Sequence, residues 1–123
     1  MEEKNLFDLL LETDNIVDKT KDLEVTRLSE KFGKKFTIQI RSLKEEQIQS
    51  CYDSKDTKLD FILESVTIEG KALKEKVLQE KFGVKIARDV VNKIFNNGEI
   101  SWIYLEILKL NGLSRDTIIE LKN

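Results

Sequence analysis

The chain has no histidine and one cysteine, Cys51. These scarcities exclude a Cys/His zinc cluster, a Ser-His or Cys-His nucleophile pair and an intramolecular disulfide. Cys51 reads as a small, semi-buried side chain. Proline is absent altogether, so turns fall to the five glycines and to Asn, Asp and Ser. Neither sign of charge prevails: 21 Lys and Arg stand against 23 Asp and Glu, interspersed along the chain. A nucleic-acid footprint would need a basic stripe, and the densest cluster, Lys34-Lys35 with Lys31 and Arg41 nearby, reads as a solvated turn. Long apolar runs are missing too. None approaches the roughly 20 residues of a membrane span, and the opening "MEEKNLFDLLLE" is acidic where a signal peptide would be basic. The expected location is the cytoplasm, with no nucleic-acid or membrane partner, no metal and no cofactor.

Catalysis without histidine would rest on Asp, Glu, Lys, Tyr52 or Tyr104. No carboxylate pair is set among apolar residues, as a perturbed-pKa site requires; the carboxylates stand among lysines. Asp53, Asp56 and Asp60 lack the alternation and central glycine of a calcium loop. The chain therefore reads as a non-enzyme.

What is present is helical periodicity and glycine punctuation. At 123 residues the chain suits one domain, burying roughly two-thirds of its unfolded surface. "LSEKFGKKF" (28–36) and "LQEKFGVKI" (78–86) share a core fifty positions apart, the first mark of a repeat. Their continuations diverge. After the first, Phe36, Ile38 and Ile40 alternate with Thr37, Gln39 and Arg41, the period of a half-buried strand; after the second, Ala87, Val90, Val91, Ile94 and Phe95 follow helical spacing. The two copies accordingly read as separate devices: Gly33 reverses a hairpin over 23–41, and Gly83, at positive φ, lets the chain leave one helix for the next.

Ser42 and Glu45 have capping-box spacing and predict a helix from Leu43 to about Tyr52. Helical patterns follow at 58–67, 72–82, 87–96 and 99–111, the last opened after a turn at Gly98 and ended by Gly112 in a left-handed cap. Ser114 predicts a final short helix with Thr117 to Leu121 inside it. Residues 4–12 predict a short helix tied to the body by a polar linker. The expected fold is α+β and predominantly helical: an arm at 1–22, then a single globular domain, 23–123, with an N-terminal β-hairpin followed by a compact bundle of five to six short helices (42–123).

In the helix over 99–111, Ile100, Ile103, Tyr104, Ile107, Leu108 and Leu110 form one arc, while Trp102 and Leu105 fall outside it. Two readings of Trp102 stand: it packs on a neighbouring element, or it is an exposed anchor for a protein partner, a role in which tryptophan is enriched. Leu6, Phe7 and Leu10 in the arm either dock on the body or await a partner.

The order "KLDFILESVTIEG", then "EKVLQEKFGVKIARDVVNKIFNNGEISWIYLEILKLNGL", resembles the XkdN-like tail assembly chaperones of tailed bacteriophages and phage-like particles. The resemblance covers roughly 23–113 and is most specific from Gly83 through the "NGEI" of Asn97–Ile100 to the "LNG" of Leu110–Gly112. Two prolines of the family pattern are replaced, one at Lys71-Ala72-Leu73 and one at Ile86-Ala87. The resemblance implies a non-enzymatic role in the bacterial host cell. Such proteins bind helical segments of the tape measure protein, keep it soluble and help tail-tube subunits polymerise around it, then leave the finished tail. It makes Trp102, Leu105, Leu6, Phe7 and Leu10 candidate contacts, with tail-tube subunits and a second copy of the chain as further partners. The other reading is a structural or adaptor component that stays in the tail or particle.

Overall fold

A computed structural model describes residues 5–14, 17–114, 118 and 120–121. Among the described residues the elements run α1 (Leu6–Glu12), β1 (Thr20–Glu24), α2 (Thr26–Phe32), β2 (Thr37–Arg41), α3 (Glu45–Tyr52), α4 (Thr57–Ser65), β3 (Val66–Ile68), β4 (Lys71–Ala72), α5 (Lys76–Phe82), α6 (Asp89–Ile94) and α7 (Asn97–Leu110). The expected short helix after Ser114 falls on residues mostly outside those described.

The strands form one antiparallel sheet in the order β1-β2-β3-β4. The alternation read in β2 is real: Ile38 and Ile40 are buried while Thr37, Gln39 and Arg41 are exposed. Residues directly opposite in an antiparallel ladder share a face, so Leu23 opposite Ile38 and Val66 opposite Ile40 extend the apolar side. Helices α4 and α7 pack on that side through β2 and on each other. Phe61, Ile62, Leu73, Val91 and Ile107 complete the core with them. Each such side chain contributes about 1.5–3 kcal/mol by leaving water. The opposite sheet face, Asp22, Gln39 and Thr67, is polar, as a one-sided antiparallel sheet allows.

A hairpin followed by a helical bundle is therefore corrected to a four-stranded sheet interleaved with helices. The second strand of the expected hairpin is there as β2, but its partner is Thr20–Glu24, and from Val25 on the chain caps and forms helix α2, which connects the two strands where a turn at Gly33 was expected. The 58–67 pattern breaks at Ser65. There the buried hydroxyl donates to the Arg41 carbonyl at 2.7 Å and accepts the Arg41 N–H at 3.0 Å, turning the chain into β3. Likewise the 72–82 pattern opens in β4, and its helix starts only at Lys76. Ser42 does not cap α3: its hydroxyl accepts the Lys19 N–H at 2.9 Å, and the helix starts at Glu45 with Gln47 accepting the Lys44 N–H at 3.0 Å.

The two "EKFG" stretches turn out to be one device used twice. Gly33 and Gly83 have φ of 62° and 66°. After each, the chain closes with the same pair of bonds: Gly33 N–H to Glu30 and Lys34 N–H to Ser29, then Gly83 N–H to Glu80 and Val84 N–H to Gln79. That is the double closure of a glycine-terminated helix. Each helix has seven residues and follows an edge strand of the sheet, β1 or β4. The reading of Gly33 as a hairpin turn and of the copies as unrelated is thus overturned at the level of local structure.

Candidate functional site

Helix α7 starts where Asn96 accepts the Glu99 N–H at 2.8 Å and Glu99 returns the bond by accepting the Asn96 N–H at 2.9 Å. This reciprocal cap satisfies two donors the first turn would leave open. Gly98 therefore lies inside the first helical turn, while Gly112, at φ 70°, closes the other end with its N–H on Lys109 and the Leu113 N–H on Leu108.

The arc read from the sequence is the buried one: Ile100, Ile103 and Ile107 face the core. Trp102 and Leu105 stand outside it, 69% and 44% exposed, so Trp102 does not pack into a neighbouring element. Trp102 instead forms one side of a groove of about 420 Å³ between the first turns of α7 and the end of β1. Leu23, Val25 and Ile103 give it apolar lining, and Glu24, Glu99 and Glu106 supply carboxylates along it.

Two ion pairs hold the walls together. Arg27 on α2 grips Glu99 with both arms, Nε at 3.0 Å and a terminal nitrogen at 2.9 Å, and also donates to the Ile94 carbonyl at 2.8 Å. Lys21 on β1 donates to Glu106 at 2.8 Å. Hydrogen bonding from Arg27 holds the Glu99 carboxyl below its ordinary pKa against the opposing effect of burial, with the Asn96 N–H adding to it. Lys21 does the same for Glu106. Both carboxylates thus stay charged beside apolar surface. What the arrangement offers is apolar area beside carboxylates held in ion pairs.

Leu6, Phe7 and Leu10 lie on α1, a helix with no buried residue, tied to β1 by the segment 13–19. Trp102 with Leu105 on α7 and the α1 arm are therefore two exposed apolar surfaces among the described residues. Arg27, Lys21 and the carboxylates they hold escaped the sequence reading. Arg27 and Glu99 are 72 positions apart, and no local pattern marks such a pair.

A second cavity, of about 410 Å³, is lined by Cys51, Asp60, Leu63, Glu64 and Arg88 among others. Burial, followed by the charges of Asp60 and Glu64, pushes the Cys51 thiol up to about 11, so a thiolate is scarce at neutral pH. Arg88 is engaged by Asp60 through two bonds, at 3.0 and 3.1 Å. Among the described residues, no group of three or more His, Cys, Asp or Glu side chains is arranged to hold a metal ion, and no helix is long and apolar enough to cross a membrane.

A family model described as Phage XkdN-like tail assembly chaperone protein matches residues 49–121, more than half of the chain. No curated protein and no solved structure matches it. The chain belongs to the XkdN-like tail assembly chaperone family. The matched residues include α7 with Trp102 and Leu105, while β1 and the arm precede them.

Proposed function

We propose that this XkdN-like tail assembly chaperone acts in the bacterial cytoplasm, without catalysis, by binding helical segments of the tape measure protein and keeping them soluble while tail-tube subunits polymerise around them. The observation that carries the reading is Trp102, exposed on α7 inside the family-matched residues, at the side of an apolar groove. A helix laid across this groove would place its apolar stripe on Trp102, Leu105 and the Leu23–Ile103 lining, the usual way an amphipathic helix is captured. Glu99 and Glu106 are already paired with Arg27 and Lys21, which leaves Glu24, an acceptor of the Ser29 hydroxyl, to favour a partner whose apolar stripe is flanked by Lys or Arg. The highly charged remainder keeps such a complex in solution.

The test is co-expression with segments of the tape measure protein. The wild-type chain should hold a segment soluble and co-purify with it. Trp102→Ala should weaken the complex by at least about 2 kcal/mol, roughly thirtyfold, while leaving the fold intact, because the side chain is mostly exposed. No co-purifying segment would sink the proposal. Abundant peptides of this chain in purified particles would favour a resident structural component over a chaperone.

A further inference from the structure

Arg27 is an unfavourable residue for the helix that carries it. It stands in the first turn of α2, where a cation opposes the helix dipole, and Val25 gives that turn no side-chain cap in compensation. What the guanidinium gains lies elsewhere. Its fork takes both oxygens of Glu99 in the first turn of α7, and one terminal nitrogen also reaches the carbonyl of Ile94, the last residue of α6. One side chain of α2 thus spans the Phe95-Asn96 turn from which α7 departs.

The Glu99 carboxylate ties this grip to the start of α7. The oxygen that accepts from the Arg27 terminal nitrogen also accepts the Asn96 N–H of the reciprocal cap, so when α7 rolls against α2 the carboxylate loses one or the other. At 1.5 Å and 100° per residue, Glu99, Trp102, Ile103 and Glu106 share one stripe of α7, with the two carboxylates about 10 Å apart along it. Lys21 holds Glu106, and Trp102 therefore lies between two tethered points. The tethers are unequal: Lys21 makes one bond from a flexible stem, Arg27 three from a planar fork. Both cations lie outside the lining of the groove.

We infer that Arg27 is the positioning residue of the Trp102 groove: by tying α2 to the α6–α7 turn it holds the Trp102 wall at the spacing from the Leu23–Val25 wall that a partner helix requires, without touching the partner. The inference rests on the reading of this groove as the docking surface. Losing Arg27 changes the stability of the fold little, because the pair is partly exposed; what goes is the preorganisation of the groove.

The test uses the full chain in two ways. The first needs no partner. Nitroxides attached at Asp22→Cys and Lys109→Cys, exposed positions on β1 and α7 outside the groove, report the spacing of the two walls by pulsed electron paramagnetic resonance, with Cys51 buried and unlabelled. Arg27→Ala should shift or broaden that distance, and an unchanged distribution overturns the inference whether or not a segment binds. The second titrates a helical tape measure segment by calorimetry, where Arg27→Ala should weaken binding about tenfold. The sign is diagnostic, since baring the Glu99 carboxylate would by itself favour a partner flanked by cations. In a Trp102→Ala background the same change should weaken binding less than about twofold further, because its effect passes through Trp102; full additivity would mean a general loosening and overturn the inference. Arg27→Lys keeps the cation without the fork and should recover only part of the affinity; full recovery would show that charge alone suffices and overturn it too. A wild-type chain that binds no segment fails the docking reading instead, and the distance between the labels still decides the role of Arg27.

Discussion

Replacing glycine by alanine at three positions should move stability in two directions. Gly33 and Gly83 sit at φ 62° and 66° with nothing within 4 Å of an added Cβ. The cost of a side chain there is conformational only, about 1–2 kcal/mol for an L-residue in the left-handed region, and should be the same at both sites because both close a seven-residue helix with the same two bonds. Gly98 is helical, and its added Cβ would meet Asn96 Oδ1 at 3.6 Å, an ordinary contact. Gly98→Ala removes backbone freedom from the unfolded chain and should stabilise by about 0.5 kcal/mol. In thermal unfolding followed by circular dichroism, Gly33→Ala and Gly83→Ala should each lower Tm by about 4–8 °C and Gly98→Ala raise it by about 2 °C. A neutral Gly33→Ala beside a costly Gly83→Ala would refute the equivalence of the two caps. A loss above about 3 kcal/mol at either would mean a clash that the open space rules out.

The Glu99 carboxyl titrates below its ordinary value because Arg27 and the Asn96 N–H bind its charged form. A depressed folded pKa contributes stability above the unfolded value near 4.5 that is lost as pH falls through the folded one. The urea midpoint should therefore fall on acidification below pH 4.5, and less steeply in Glu99→Gln. Cys51, buried and with its thiol raised to about 11, should resist a thiol-specific reagent at pH 8 in the native protein and react promptly in urea; fast native labelling would contradict its placement. Ser65→Ala should cost about 1–3 kcal/mol in urea unfolding, because the Arg41 N–H and carbonyl both lose the buried hydroxyl between them.

The parts of the fold that were legible are those in which one period runs long enough to stand alone. The alternation around Ile38 and Ile40 gave β2 with its inward and outward faces, and the arc of Ile100, Ile103 and Ile107 gave α7 with Trp102 outside it. Short elements hid. Helix α2 buries only Leu28 of its seven residues, so no helical stripe distinguishes it from a strand and turn. Val66 suits both the end of α4 and the start of β3, and only the long-range bonds of Ser65 to Arg41 decide where the helix stops. The Trp102 side of the groove could be inferred from helical geometry. Its other side could not, because Leu23, Val25 and Arg27 reach α7 through the tertiary fold.

Trp102 is the only tryptophan in the chain, so its emission reports the groove and nothing else. Titrating the protein with a helical segment of the tape measure protein should shift that emission to shorter wavelength and saturate with the same dissociation constant that calorimetry gives, as the indole leaves water under the partner helix. Saturable binding by calorimetry with Trp102 emission unchanged would contradict α7 as the docking surface, and no binding at all would contradict the account of what this chaperone holds.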